Sequence, residues 1–137
     1  ALQSLGTRGA IVVHCGGLDE IGLHDVTRGH RLVEDRIEPF ELAPEDVGLE
    51  RAPLDVLIGG EAKENAEILG RVLDGEVGPR ADIVALNAGA ACWVGGLAPT
   101  IQDGVALAKE ALSNGRARRA LDRAAESSRR AVEDVTK

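Results

Sequence analysis

Phe40 and Trp93 are the only aromatic side chains in 137 residues, so the interior of any fold this chain adopts has to be filled by Ala, Val, Leu and Ile. Such side chains each bury little area, and they fill space only where backbones approach closely. Ala-rich helices on a small sheet satisfy that demand. A chain of this length hides about two thirds of its unfolded surface, enough for a sizeable core.

Sixteen Lys and Arg stand against 23 Asp and Glu, a net charge of −7 that repels phosphate backbones and acidic lipid surfaces. Neither nucleic acid nor membrane is an expected partner. With 44% hydrophobic and 28% charged residues, disorder and fibrous repeats are excluded. Cys15 and Cys92 have no CxxC or Cys/His spacing, so the expected compartment is the reducing cytoplasm and zinc is not expected. No apolar run reaches the roughly 18 residues of a membrane span, and no charged-then-apolar leader opens the chain. The start at Ala1 and the absence of any Met read as a fragment, a processed chain or an incomplete reading frame.

Residues 10–14, Ala-Ile-Val-Val-His, form a β-branched run that stops at Cys15-Gly16-Gly17, the pattern of a buried parallel strand entering a glycine-rich loop. Leu2 and Leu5 fit the tail of a helix before it. Residues 31–33 and 36–42 flank Glu34-Asp35 and predict a β-hairpin, with Ile37, Phe40 and Leu42 as its apolar contacts. Pro44, Gly48 and Pro53 mark a loop, and residues 55–58 a helical turn leading into Gly59-Gly60. Ala62, Ala66, Leu69 and Leu73 recur at helical steps, one face of an amphipathic helix over 61–74 that Gly75 stops. Beyond Arg80 and Asp82, residues up to 95 are apolar on every side except at Asn87, which predicts a central, buried helix. Thr100 and Asp103 make a capping-box start for a helix that turns Ile101, Val105, Ala108 and Leu112 inward. After Gly115 a last helix places Ala117, Ala120, Leu121 and Ala124 inward and its Arg side chains outward. The expected fold is α/β, one segment over residues 1–137 with a central strand and a hairpin covered by about four helices.

The strongest candidate for chemistry is Asp19-Glu20. Adjacent side chains diverge on a strand or a helix, so neighbouring carboxylates converge only on a loop, which Gly16 and Gly17 supply. Paired carboxylates without a thiolate or imidazole cluster suit a hard cation such as Mg²⁺, which keeps waters and completes its shell with substrate phosphate oxygens. A diphosphate substrate is then inferred. Spacing alone favours a plainer role, Asp19 capping a short helix that starts at Ile21. His14, at a strand end, reads as a hydrogen-bonded structural residue or as a catalytic acid or ligand. Cys15 reads as a small packing residue rather than a nucleophile. Six Arg between 116 and 130 outnumber Asp122 and Glu126 by four, a solvated helix face rather than an anion site. Asn87 is suited either to orienting a substrate or to satisfying a nearby backbone group.

Five separated segments, VVHCGGLDE (12–20), PEDVGL (44–49), GGEAKENAEILGRVLDGE (59–76), LNAGAA (86–91) and GVALAKEALSNGRA (104–117), strongly resemble, in order and spacing, the C-terminal part of the anthranilate phosphoribosyltransferases. The resemblance implies the C-terminal portion of a nucleoside phosphorylase/phosphoribosyltransferase-type domain. It also implies a cytoplasmic enzyme of tryptophan biosynthesis that moves phosphoribosyl from 5-phosphoribosyl 1-diphosphate to the amine of anthranilate, releasing diphosphate, with Mg²⁺. It assigns the metal to Asp19 and Glu20, and makes His14, Gly16, Gly17 and Asn87 candidates for substrate contact. Cys15 stands where the family usually has Gly, and His24-Asp25-Val26-Thr27 where it has a stretch of small residues. The family's phosphoribosyl diphosphate loop and its helical N-terminal domain, which makes the usual homodimer, precede the matched region. The chain alone is therefore expected to be inactive and to need a missing N-terminal half. The alternatives are a noncatalytic remnant or interaction module of the same fold, or a related pyrimidine nucleoside phosphorylase, which Asp19-Glu20 and the matched segments disfavour.

Overall fold

The computed structural model describes residues 1–135. Strands β1 (Gly9–His14), β2 (Thr27–Val33) and β3 (Arg36–Leu42) form one antiparallel sheet in the order β1-β2-β3. The expectation of a buried parallel strand is corrected here. β1 runs against β2, Gly9 opposite Val33 and His14 opposite Arg28, and none of its residues is fully buried. Residues 15–26 contain no helix, and without a crossover helix the chain returns beside β1 in the opposite sense. β2 and β3 join through Glu34 and Asp35, both in the left-handed region at φ 48° and 62°. Two consecutive positive φ values are those of a type I′ turn, whose twist matches that of the paired strands.

Four α-helices follow: α1 (Ala62–Leu73), α2 (Pro79–Val94), α3 (Ile101–Ser113) and α4 (Arg116–Val135). The chain divides into two compact units, Ala1–Ile58 with Val77–Lys109, and Gly59–Glu76 with the chain from Glu110 onward.

In the first unit α2 lies against β1. The two aromatic residues meet near its C-terminal end, where the Phe40 and Trp93 ring centroids are 6.2 Å apart and the Arg31 guanidinium sits 4.1 Å over the indole. Elsewhere small residues do the packing. α2 buries Ala85, Leu86, Gly89 and Ala90, and α3 buries Gly104, Val105 and Ala108. The two helices cross backbone to backbone. A Cβ built on Gly89 would stand 2.5 Å from the Val105 amide nitrogen, and one on Gly104 would run into the Gly89 carbonyl. The crossing covers one stripe of α2 only. Val84 stays 37% exposed and Ala88 and Ala91 are exposed, so a helix apolar on nearly every side is not central as expected.

The N-terminus of α3 is capped as the sequence predicts. The Thr100 hydroxyl oxygen accepts from the Asp103 amide (3.1 Å) and donates to the Asp103 carboxylate (2.6 Å). At the start of α2, Arg80 donates to the carbonyls of Val56 (3.2 Å) and Ile58 (3.1 Å), tying down the 3-10 turn Leu54–Leu57.

In the second unit α1 and α4 pack on one another. Arg118 grips Asp74 through two bonds, of 3.1 and 2.7 Å. α1 buries Val72 and Leu73, whereas Ala62 and Ala66 are exposed and Leu69 is 40% exposed. On α4, Ala120, Leu121 and Ala124 are exposed rather than inward. At 20 residues, α4 is longer by eight than the 12-residue α1 on which it packs. Among the described residues, no helix is long and apolar enough to cross a membrane.

Three glycine-related substitutions separate these packing effects. Gly104→Ala should lower stability by about 1–3 kcal/mol, because backbone cannot retreat from the added methyl. Gly70→Ala, whose added Cβ would find its nearest neighbour at 3.8 Å, should raise stability by about 0.5–1 kcal/mol through helix propensity. Asp35→Gly should add about 0.5–1 kcal/mol by relieving the left-handed backbone. Urea denaturation of the three variants beside the parent chain checks the signs.

Candidate functional site

The loop leaving β1 alternates between tied and free residues. Cys15 and Leu18 exchange backbone hydrogen bonds of 3.0 and 2.9 Å across Gly16-Gly17. The turn between them uses φ values of 48° and 97°, a region glycine adopts without Cβ strain. Asp19 and Glu20 follow, both exposed. The chain then turns inward, with Ile21 2% and Leu23 0% exposed.

Each inward residue is held by its backbone. The Ile21 amide donates to Asn87 Oδ1 (3.1 Å), while Asn87 Nδ2 donates to the carbonyls of Ile21 (2.8 Å) and Ile83 (3.0 Å). The Gly22 amide donates to Thr27 Oγ1 (3.2 Å), and Thr27 is fully buried. The Leu23 carbonyl accepts from the Ala52 amide (3.1 Å). Arg51 donates to the His24 carbonyl (3.4 Å) and to Glu45 (2.8 Å). A backbone hydrogen bond at Glu45, with Arg51 beside it, holds that carboxyl below its usual range.

These contacts decide several readings. Residues 21–26 are not helical, so Asp19 has no helix to cap and the plainer role favoured by spacing is corrected. Asn87 satisfies backbone groups, the second of its two readings, and both its amide protons are committed to carbonyls. His14 stands exposed at the end of β1, and Gly16 and Gly17 are exposed in the turn that follows. Cys15 is a packing residue, 0% exposed, its thiol donating to the Asp25 carbonyl (3.4 Å). The arginines at the start of α4 and beyond pair with acids, Arg116 with Glu110 (2.9 Å), Arg118 with Asp74 (2.7 Å) and Arg130 with Glu126. The face is solvated as expected, and these three of its six arginines are ion-paired as well.

Sequence reasoning missed His24, Gly22 and Thr27. The His24 ring lies on the turn, Nε2 3.4 Å from the Gly16 carbonyl, and its buried Nδ1 has no hydrogen-bond partner among the described residues. A Cβ on Gly22 would meet Cys15 Sγ at 2.6 Å and His24 Nδ1 at 2.9 Å, so this glycine makes room for both. The only signal was the position of His24 and Thr27 in a stretch that departs from the resembled family.

As a metal site the loop offers little protein. Among the described residues, no group of three or more His, Cys, Asp or Glu is placed to hold an ion. The exposed Asp19-Glu20 pair still fits one kind of ion by its donor chemistry. Mg²⁺ is commonly held by one or two carboxylates and takes its remaining oxygens from water and substrate phosphates, whereas Zn²⁺ sites draw three or four ligands from the protein, His and Cys foremost.

The glycosyl transferase family, a/b domain, matches this chain over residues 1–118. Anthranilate phosphoribosyltransferase of Thermus thermophilus is 48% identical over 124 residues, 90% of this chain and 36% of the relative. That of Haloferax volcanii is 43% identical over 119 residues, 86% of this chain and 36% of the relative. The crystal structure of the Thermus thermophilus enzyme superposes with a TM-score of 0.82 at 45% identity, covering 90% of this chain and 36% of that one. The Saccharomyces cerevisiae enzyme in complex with PRPP and Mg gives a TM-score of 0.74 at 28% identity, covering 82% of this chain and 33% of that one. The chain thus spans little more than a third of the length of these relatives. With most of its residues matched and its fold shared, the chain belongs to the glycosyl transferase family.

Proposed function

We propose that this chain carries the divalent-cation limb of an anthranilate phosphoribosyltransferase, Asp19 and Glu20 holding Mg²⁺ against the diphosphate of 5-phosphoribosyl 1-diphosphate. The observation that carries the reading is the position of the pair: two exposed carboxylates on a loop whose backbone is tied on both flanks. A relative solved with PRPP and Mg supports it at the level of the family. The cation, when bound, neutralises charge gathering on the diphosphate as the ribose C1–O bond breaks, stabilisation worth several kcal/mol.

The chain's own residues act by placement. Asp19 and Glu20 offer hard oxygen donors from a loop whose backbone is held on either side of the pair. His14, Gly16 and Gly17 border the same turn and face the substrate's phosphates, where exposed glycine backbone permits close approach. No covalent nucleophile is needed. The anthranilate amine attacks C1 and loses a proton, and the diphosphate departs with the electron pair of the broken bond. Activity requires the remainder of the transferase, because the chain spans about a third of its relatives.

The test follows anthranilate fluorescence with phosphoribosyl diphosphate and Mg²⁺, using this chain alone and mixed with a chain carrying the part of the Thermus thermophilus relative that it does not match. Turnover is expected only in the mixture. In that mixture Asp19→Asn or Glu20→Gln should lower kcat/KM at limiting Mg²⁺ by about 10²–10³-fold. Both residues are exposed, so stability should move by less than about 0.5 kcal/mol. Wild-type rates in both variants would remove the metal role. No turnover from a folded, associated mixture would favour a noncatalytic remnant or interaction module.

A further inference from the structure

We infer that Asn87 is a positioning residue for the Asp19-Glu20 pair, an inference that rests on the cation-binding role proposed above. Both peptide planes that flank the pair are held. The Leu18 carbonyl, which lies in the Leu18–Asp19 peptide, accepts from Cys15, and so that plane is fixed. The Ile21 amide, which lies in the Glu20–Ile21 peptide, donates to Asn87 Oδ1, and so that plane is fixed too. Between them the peptide joining Asp19 to Glu20 has no hydrogen bond among the described residues. Asn87 then takes the Ile21 carbonyl as well, so a single side-chain amide satisfies both polar groups of one residue, as a strand neighbour would.

The placement of Asn87 is unlike that of its neighbours. Its covered neighbours on α2 are Ala85, Leu86, Gly89 and Ala90, where an apolar side chain would pack without any need for polar partners. Asn87 instead uses its oxygen and both amide protons, two of the three bonds reaching a residue 66 positions earlier in the chain. The bond to Ile83, one turn back in the same helix, holds the side chain in the orientation that meets Ile21. A carboxylate pair held this way meets the cation already oriented, as outer partners orient metal ligands, and loss of such partners weakens metal binding by about 10–100-fold.

The experiment uses the full chain and Mg²⁺ alone. Backbone amide chemical shifts of Asp19 and Glu20 report the titration, and hydrogen exchange of the Ile21 amide reports the clamp. The expected result for Asn87→Ala is an apparent Kd for Mg²⁺ raised about 10–100-fold. Ile21 exchange should accelerate while the Val105 and Ala108 amides in α3 keep their protection. Unchanged Mg²⁺ affinity in Asn87→Ala would overturn the positioning role alone. No Mg²⁺ shift at Asp19 or Glu20 in the parent chain, with Ile21 protected, would overturn the cation reading and this inference with it. Should Asn87→Ala fail to fold, the parent chain decides. Its Ile21 amide must exchange about 100-fold more slowly than those of Asp19 and Glu20, and equal rates would overturn the clamp.

Discussion

Asn87 places a polar amide among the small apolar residues that α2 presents to the interior, and the loop after β1 depends on how that amide is satisfied. Asn87 is part-buried, and its amide finds its long-range partners in the amide and carbonyl of Ile21. Two of its three bonds therefore tie the helix to the loop after β1, and the third, to Ile83, stays within the helix. Two residues further along, Gly89 meets Gly104 backbone to backbone and sets the distance of α2 from α3. The same helix thus answers to the site on one side and to the core on the other.

That coupling follows from the shortage of large side chains. A core with one Phe and one Trp cannot absorb a helix displacement by reorienting bulky groups, because most contacts are made by Ala, Val, Leu and backbone. Close packing of small residues transmits shifts rather than damping them. The aromatic pair sits apart from the acidic loop, near the C-terminal end of α2, with Arg31 stacked on Trp93. Interior contact near the loop is left to Ile21, Leu23, Cys15 and Thr27, each nearly or fully buried.

Periodicity made the helices legible. The steps from Ala62 to Leu73 and the apolar run after Asp82 match α1 and α2, and the Thr100–Asp103 pair marks the start of α3. What periodicity cannot carry is the identity of the partner. The β-branched run at 10–14 identifies a strand but not the sense of its neighbour, and β1 proved antiparallel. The spacing of Ala120, Leu121 and Ala124 shows a face on α4 but not whether anything covers it, and those residues are exposed. The glycine turn drew attention to Asp19-Glu20 and the family resemblance gave the pair its metal role, while the contacts around it depend on residues 66 positions apart in sequence and left no local trace.

The unusual residues of the loop are mutually accommodated. Cys15 stands where the resembled family usually has Gly, and a side chain there must find both space and a partner for its thiol. Gly22 supplies the space, and the Asp25 carbonyl accepts the thiol proton. His24, from the second departing stretch, rests its ring against the Gly16 carbonyl and is itself held through its own carbonyl by Arg51, leaving Nδ1 unpartnered among the described residues. Thr27, at the end of that stretch, accepts the Gly22 amide. The substituted side chains therefore work on the inner side of the turn, whereas Asp19 and Glu20 occupy the outer side between two fixed peptide planes. The packing beneath the turn can differ from that of the resembled family without altering which side the carboxylates face, because the clamps at Leu18 and Ile21 act on backbone rather than on the side chains that changed.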